Sequence, residues 1–261
     1  MPTVQQLYEL WAEDADLRDE LRRSLEPRGT DWLFEAFATL GPKPGELVLD
    51  AGARHAKHAI RLVREHRLRA IALDPVPLHA ELARAAVAEA GLGSEIEVVE
   101  AALEELPLAD DSVDWIWCRD VLVHVDARRG LAECARVLRP GGTMVAYVTL
   151  ATDKLEPLER AELVDAVALK TLDAEELESA ATHAGLEPRS VDRLGSEWRE
   201  RMIEDGTWNP ADDLLALARL GRSSFDDAQA RAAWGGLVWG IYQLLGKLCP
   251  TVYVWSKTSS S

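Results

Sequence analysis

Apolar positions along the middle of the chain alternate between two spacings. Residues 47–49 form a short apolar run with β-branched content, which is typical of a buried parallel strand. Directly after it, Ala56, Ala59, Ile60 and Val63 recur at helical spacing. The same patterns predict strands at 70–73, 96–99, 113–118, 143–150, 186–194 and 251–255, and helices at 4–11, 31–40, 77–90, 128–138, 158–170 and 173–183. This alternation predicts an α/β fold with a doubly wound, mostly parallel sheet.

The sharpest break from strand to helix falls at Asp50 and Gly52. Such a turn opens a crevice at the carboxyl edge of a sheet, with free backbone N–H groups facing it. A dinucleotide fingerprint places glycines at this turn and an acid about twenty residues later. Here acids stand in both places, since Asp74 follows the next strand. S-adenosylmethionine, with its cationic amino group and a ribose bearing two hydroxyls, is a ligand that suits this pair of carboxylates.

Through these residues the chain resembles the class I S-adenosylmethionine-dependent methyltransferases, whose first motif reads roughly acid-x-Gly-x-Gly-x-Gly. Asp50 and Gly52 match the motif, whereas Arg54 and Ala56 stand where the second and third glycines would be. An arginine there hinders close backbone approach, but its guanidinium could instead hold the carboxylate of the cofactor. The resemblance implies a Rossmann-like sheet of seven strands with an antiparallel last strand, N-terminal helices, and a helical insertion before that strand.

Later segments extend the resemblance. Residues 100–108 are similar to a family segment written roughly Gly-Asp-Ala-x-x-Leu-Pro-Phe, in which Ala102 replaces the acid that usually binds the adenine amino group and Leu103 lies beside the ring. Residues 119–125 resemble a run that ends in Leu-x-His, and residues 138–142 resemble the family's turn into the fifth strand. The cofactor-binding residues that the resemblance implies are Asp50, Gly52, Arg54, Asp74, Pro75, Ala102, Leu103 and Cys118, the last through its backbone carbonyl.

The two acids in this set, Asp50 and Asp74, also have a simpler interpretation. Asp50 at a turn could cap the helix that follows, and Asp74 could do the same ahead of Pro75. The order of the motifs favours cofactor binding at both positions.

Asp120 and His124 can accept a proton near the implied methyl site. Histidine titrates near neutrality and is the usual general base, although the equivalent histidine in the family often supports the loop instead. A sulfonium methyl group is already electrophilic, so alignment of the nucleophile matters most and a base is optional. We therefore predict Asp120 and His124 as candidate catalytic residues, with a structural role for His124 left open.

Residues 197–247 separate the sixth strand from the last and are rich in aromatic side chains. The resemblance places such an insertion over the carboxyl edge, beside the methyl acceptor. Its rings either belong to the core or bind an apolar or cationic acceptor; the candidate substrate-binding residues are Trp198, Trp208, Trp234, Trp239 and Tyr242.

A basic cluster, formed by His55, Lys57, His58 and Arg61, opens one helix. It is either a solvated helix face or part of an anion site, because cations are disfavoured at a helix N-terminus.

Composition limits the remaining possibilities. With 261 residues, of which 48% are hydrophobic, the chain can bury a full core. A formal net charge of −16 argues against nucleic-acid binding, which needs a basic face. Its 3 cysteines, Cys118, Cys134 and Cys249, lack the spacing of metal ligands, so we expect neither a disulfide scaffold nor a metal. No signal-peptide pattern or membrane span is visible, which predicts a cytoplasmic protein that binds no membrane.

These features predict four segments. They are an N-terminal helical segment at 1–44, an S-adenosylmethionine-binding domain at 45–196, a helical cover at 197–249, and the last strand and tail at 250–261. The predicted function is transfer of a methyl group from S-adenosylmethionine to a small-molecule acceptor, with S-adenosylhomocysteine as the product. Two alternatives stay open: a binding or regulatory protein that has lost turnover, and a nicotinamide enzyme, which Asp50 and the missing turn glycines disfavour. Neither the acceptor nor the oligomeric state follows from the sequence.

Overall fold

The computed structural model describes residues 3–6, 23–220 and 227–258, in which seven strands alternate with helices. The strands are β1 (Leu47–Ala51), β2 (Arg69–Asp74), β3 (Ile96–Glu100), β4 (Val113–Arg119), β5 (Leu138–Ala151), β6 (Leu186–Arg193) and β7 (Leu248–Lys257). The helices are α1 (Thr30–Thr39), α2 (Lys57–His66), α3 (Pro77–Glu89), α4 (Ala127–Val137), α5 (Pro157–Val167), α6 (Ala174–His183), α7 (Glu197–Glu204), α8 (Pro210–Leu220) and α9 (Asp227–Leu244). Most of the helix predicted at residues 4–11 lies outside the described residues.

All seven strands belong to one sheet in the order β3-β2-β1-β4-β5-β7-β6. The first five strands run parallel, and β7 lies antiparallel between β5 and β6. This arrangement confirms the predicted fold class, including the antiparallel last strand. The strand order reverses between β1 and β4, and in sheets of this kind ligands bind at the carboxyl edge next to such a point.

Helices cover both faces of the sheet. On one face α1, α2 and α3 pack over the central strands, with the ring of Phe34 stacked on that of Trp117 at 4.6 Å between centroids. On the other face α4, α5, α6 and α9 pack over β4, β5 and β7. The two cores fix the positions of the strand ends, and therefore of the loops that leave them.

The helical insertion, α7 to α9, begins and ends at the carboxyl edge of the sheet. Since β7 is antiparallel to β5, its first residue, Leu248, pairs with Ala151 at the end of β5. The N–H of Thr152 also donates to the carbonyl of Lys247, at 3.0 Å. The insertion is thus connected to the same edge that carries Asp50.

Residues 138–142, predicted as a turn into the fifth strand, form an irregular start to β5. Leu138 pairs with Val113 of β4 and the next pair is Thr143 with Trp115, so residues 139–142 lie opposite Asp114 alone. Gly141 has φ +78°, and a Cβ atom at Gly142 would lie 2.9 Å from the carbonyl oxygen of Asp114. Both glycines therefore serve a tight bend that leads into the regular pairing of β5, as the Pro-Gly-Gly pattern predicts.

None of the helices in the described part of the chain is long and apolar enough to cross a membrane.

Candidate active site

A cavity of about 460 Å³ lies at the carboxyl edge, where β1 and β4 are neighbours. This volume is typical of small-ligand pockets. Its walls come from the turn after β1, the start of α2 and the end of β4. The lining residues are Asp50, Gly52, Ala53, Arg54, His55, Lys57, His58, Arg119 and Asp120. Four residues predicted for cofactor binding or catalysis, Asp50, Gly52, Arg54 and Asp120, are thus brought together with most of the basic cluster.

Gly52 makes the turn after β1 possible. Its φ is +74°, and a Cβ atom there would lie 2.2 Å from Cγ2 of Val121. Its N–H donates to the carbonyl of Leu73 at the end of β2, at 2.8 Å. Both the left-handed conformation and the close approach require glycine.

Arg54 and Ala56 keep the backbone of the glycines they replace. Their φ values are 48° and 55°, in the left-handed region that side chains disfavour. Such a conformation costs about 1–2 kcal/mol per residue. The loop therefore has the shape of a glycine-rich turn and carries an exposed arginine at its outer bend.

Asp50 is 1% exposed, at the end of β1. Its Oδ2 accepts a hydrogen bond of 3.0 Å from the N–H of Ala59 in α2. Burial, and to a smaller degree the charge of Asp74, raises the pKa of the Asp50 carboxyl to about 7, although the bond from Ala59 opposes the shift. A cation in the cavity would favour the charged form of Asp50.

Asp74 ends β2 and is buried. Its Oδ2 accepts from the N–H of Arg54 at 3.0 Å, and its Oδ1 accepts from the N–H of Val76 at 3.0 Å. Nδ1 of His79 also lies 3.0 Å from Oδ1. A carboxylate offers about four lone-pair sites, so capacity for one further donor remains. Sequence reasoning missed His79, whose only signal is its place in the first turn of the helix after this acid.

Asp120 follows β4 in a left-handed conformation with φ 53°. Its N–H donates to the carbonyl of Tyr147 at 2.7 Å, and its Oδ1 accepts from the N–H of Thr149 at 2.9 Å. Burial raises the pKa of the Asp120 carboxyl above its usual range. Asp120 therefore faces the cavity as an acid held in place by β5.

His124 lies apart from the cavity. Its side chain is exposed, and its Nδ1 is 3.4 Å from the carbonyl oxygen of Ala168. The structure does not bring His124 and Asp120 to the same cavity wall, and a catalytic role for His124 stays a prediction.

Three further residues predicted to bind the cofactor lie outside this cavity. Ala102 is exposed and lines a separate cavity of about 430 Å³ beyond the end of β3. Leu103 is 3% exposed and packs in the core next to Gly130 of α4. Pro75 is exposed just after Asp74. The cofactor roles of these three residues stay predictions.

Cys118 is buried in β4, and burial raises the pKa of its thiol to about 12. The thiol is therefore protonated and packed, and the cofactor contact through the backbone carbonyl of Cys118 stays a prediction.

The aromatic residues of the insertion are largely packed, and none of them lines the cavity at β1 and β4. The ring of Trp198 lies against that of Tyr147 on the sheet, with 4.8 Å between centroids. Nε1 of Trp208 donates to Asp213 at 2.8 Å. Trp234, Trp239 and Tyr242 pack on the core next to α5 and β7. Their predicted contact with the acceptor stays a prediction.

Sequence reasoning also missed Arg119, which lies beside His58. Nε1 of Trp117 donates to Nδ1 of His58 at 3.3 Å, and Nη1 of Arg119 lies 3.3 Å from Nε2. Burial, with the charges of Arg119 and Arg61, lowers the pKa of His58 to about 4, so the ring is neutral and has one acceptor nitrogen. Because Trp117 is fully buried, we assign that acceptor to Nδ1. Arg119 then faces an N–H group.

The basic cluster divides into two parts. Arg61 forms ion pairs with Asp31 at 2.5 Å and Glu65 at 2.8 Å, away from the cavity. His55, Lys57 and His58 line the cavity together with Arg54. The wall at the start of α2 is therefore rich in N–H donors.

Among the described residues, no group of histidine, cysteine and acidic side chains could hold a metal ion.

Comparisons with known proteins agree on one family. A model described as a methyltransferase domain matches residues 49–146. The chain is 30% identical over 238 residues to the methyltransferase GfsG of Streptomyces halstedii, which covers 88% of this chain and 81% of that protein. It is also 39% identical over 123 residues to an uncharacterized methyltransferase of Mycobacterium bovis, covering 47% of this chain and 45% of that protein. The chain thus matches less than half the length of the latter relative.

Solved structures show the same fold. The crystal structure of a protein provisionally named a sarcosine dimethylglycine methyltransferase, from Galdieria sulphuraria, superposes with a TM-score of 0.72. The match covers 87% of this chain and 84% of that chain at 23% identity. At this identity the likeness supports the fold alone.

Proposed function

The chain belongs to the class I S-adenosylmethionine-dependent methyltransferases, and from that premise we propose that it transfers a methyl group from S-adenosylmethionine to a small-molecule acceptor. The observation that carries this proposal is a pair of buried carboxylates, Asp50 and Asp74, at the carboxyl ends of adjacent strands. Gly52 lines the same cavity as Asp50, and its left-handed backbone makes the tight turn after β1.

The residues present fit the cofactor. Asp74 can accept one further hydrogen bond, which a ribose hydroxyl would donate. The carboxylate of Asp50 would bind the cationic amino group of the cofactor. Arg54 and Lys57, beside the N-terminus of α2, suit the carboxylate. When bound, S-adenosylmethionine supplies an electrophilic methyl carbon on its sulfonium.

The protein's own task is then to orient the acceptor and to handle its proton. Asp120 is the best placed group to accept a proton from the acceptor, because it lines the cavity and the N–H of Thr149 fixes its carboxylate in place. Burial raises its pKa, which makes the carboxylate a stronger base than an exposed aspartate. The insertion at 197–249, attached to the same edge, would cover the acceptor and exclude water.

Calorimetric titration with S-adenosylhomocysteine tests the cofactor assignment. Asp74→Ala removes a ribose acceptor and frees the N–H groups of Arg54 and Val76, so we expect affinity to fall by about one to two decades. Glu97→Ala is a suitable control, since Glu97 lies opposite Ile71 in β3, is exposed and lines neither of the two cavities described above. Absence of binding by the unchanged protein would remove the assignment altogether.

A second candidate is a binding or regulatory protein without turnover. It is favoured by the strained conformations of Arg54 and Ala56 and by the three donors that already surround Asp74. Release of S-adenosylhomocysteine from S-adenosylmethionine with a panel of small acceptors distinguishes the two. Tight cofactor binding with no turnover across oxygen, nitrogen, sulfur and carbon nucleophiles would favour the regulatory protein.

A further inference from the structure

Two arginines beside the proposed acceptor site lack a carboxylate partner. Arg119 ends β4, with its Cζ 5.6 Å from the ring of Tyr147 and 5.5 Å from that of Trp198. Arg199 follows Trp198 in α7, and its Nε donates to Oε1 of Gln243 at 2.8 Å. Within the described residues, neither guanidinium forms an ion pair with an acid, and both are only partly exposed.

The groups in direct contact with Arg199 are uncharged. Its Cζ lies 5.3 Å from the ring of Trp208, and a Cβ atom at Gly240 would lie 3.3 Å from it. Its Nη1 is 3.4 Å from Sδ of Met202. Gln243 is itself buried in α9. The insertion therefore contacts this cation through neutral groups, and Asp213 of α8, whose charge acts on it, is bonded to Trp208.

Two nearby acids compensate the two cations only in part. Burial lowers the pKa of Arg199, and the charge of Arg119 acts in the same direction, whereas Tyr147, Asp120 and Asp213 oppose it. Asp120 already accepts a bond from Thr149, and burial disfavours its charged form, while Asp213 accepts a bond from Nε1 of Trp208. In the tautomer assigned above, His58 presents an N–H to Arg119. Among the described residues neither acid forms an ion pair with either guanidinium, whereas buried charges normally have partners in direct contact.

We propose that the methyl acceptor carries an oxyanion, a carboxylate or a phosphate group, that binds between Arg119 and Arg199. Guanidinium groups bind both oxyanions through paired hydrogen bonds. The rings of Tyr147 and Trp198, which lie beneath Arg119, limit where that group can sit. This inference rests on the proposed methyl transfer and narrows its substrate class to anionic acceptors.

The carboxylate of the cofactor is a different anion with a different set of donors. Arg54 and Lys57 line the cavity at the start of α2, whereas Arg199 comes from the insertion and does not line it. A ligand that lacks the amino-acid end of the cofactor distinguishes the two anion sites in a binding experiment. Methylthioadenosine is such a ligand, because it keeps the adenine, ribose and sulfur of S-adenosylhomocysteine and has no carboxylate.

The experiment uses the full protein saturated with S-adenosylhomocysteine. Inorganic phosphate and acetate are titrated separately at constant ionic strength, with chloride as the balancing ion, and binding is followed by calorimetry and thermal shift. We expect saturable binding of at least one oxyanion, and a loss of about tenfold or more in Arg199→Met and in Arg119→Met. Arg199→Lys should retain part of the affinity. Arg201→Met is the matched control, since Arg201 lies in the same helix and pairs with Glu204 and Asp205.

Each outcome of these titrations either supports or overturns the inference of an anionic acceptor. Phosphate alone would identify a phosphate-bearing acceptor, and acetate alone a carboxylic acid. No saturable binding by the unchanged protein, or equal binding by Arg199→Met, would overturn the inference and leave methyl transfer intact. A loss of S-adenosylhomocysteine affinity in Arg199→Met, with methylthioadenosine unaffected, would assign Arg199 to the cofactor and also overturn it. Failure of the unchanged protein to bind S-adenosylhomocysteine would overturn the proposed function first, and this inference with it.

Discussion

Arg54 occupies a left-handed conformation on an exposed bend of the cavity wall, where its side chain can curl over the crevice or extend into solvent. If the guanidinium holds the cofactor carboxylate, Arg54→Met should weaken binding of S-adenosylhomocysteine by about one to two decades, since a charge-assisted bond contributes about 1.5–3 kcal/mol. Arg54→Gly should also bind more weakly, although glycine relieves the backbone. Titration calorimetry measures both variants.

Methylthioadenosine is the control ligand for Arg54, because it has no carboxylate for the guanidinium to bind. Its affinity should stay the same in Arg54→Met. An Arg54→Gly variant that binds S-adenosylhomocysteine as well as the parent, or better, would mean that the arginine is merely tolerated at a position suited to glycine.

Asp50 makes both stability and cofactor affinity depend on pH. Its pKa is about 7 in the folded protein against an ordinary aspartate value of 3.8, so the folded state binds more protons between these two pH values. The contribution of Asp50 to stability therefore falls as pH rises through that window, by at most about 1.4 kcal/mol per pH unit. The cationic amino group of the cofactor has the opposite preference, so affinity should rise towards pH 7 and then level.

Asp50→Asn tests this, because asparagine can still accept the bond from Ala59. In urea unfolding of the ligand-free protein, the variant should gain stability over the parent as pH rises from 5 to 7. Its affinity for S-adenosylhomocysteine should lose the pH dependence over the same range. Parallel stability curves for the two proteins would contradict a raised pKa at Asp50.

The turn after β1 and the loop after β4 constrain each other through Gly52 and Val121. Gly52→Ala places a methyl group 2.2 Å from Cγ2 of Val121 and should lower the free energy of unfolding by about 2–4 kcal/mol, from overpacking together with the left-handed backbone. Val121→Ala in the same chain should restore the part that is due to overpacking. A double variant no more stable than Gly52→Ala would assign the whole effect to the backbone.

Local sequence patterns predict most of the strands and helices, but they predict only part of the candidate active site. Strands such as β1 and β2 are apolar runs between turn residues, and Asp50, Gly52 and Asp74 lie where those runs end. The bend into β5 also follows locally, from Pro-Gly-Gly, whereas the register of β5 against β4 depends on residues distant along the chain. Arg119 and Arg199 carried no local signal, since what distinguishes them is the absence of an ion pair with any acid of the described residues, and this depends on two distant elements.

The N-terminal segment, the sheet and the insertion meet at one side chain, Arg28. It pairs with Asp192 at 2.5 Å, near the end of β6, and with Glu197 at 2.6 Å, at the start of α7. These partners are partly exposed, so solvent screening reduces the effect, and Arg28→Ala should lower the free energy of unfolding by about 1 kcal/mol. Urea unfolding measures it.

Arg231→Ala is the comparison for Arg28, because Arg231 forms a single, more exposed pair with Asp165. Its effect should stay within about 0.5 kcal/mol. Equal effects of the two substitutions would mean that Arg28 does not join the three parts.

The position of β7 in the middle of the order β5-β7-β6 has a consequence for synthesis on the ribosome. When β6 emerges, its only partner in the sheet has not yet been made, and the three helices of the insertion come first. At roughly 5–20 residues per second this delay lasts seconds. During that time the edge of β5 is open to other nascent chains. Because β6 is mostly polar and contains a proline, it is poorly suited to pair with the edge of β5. That edge therefore stays unpaired until β7 is made.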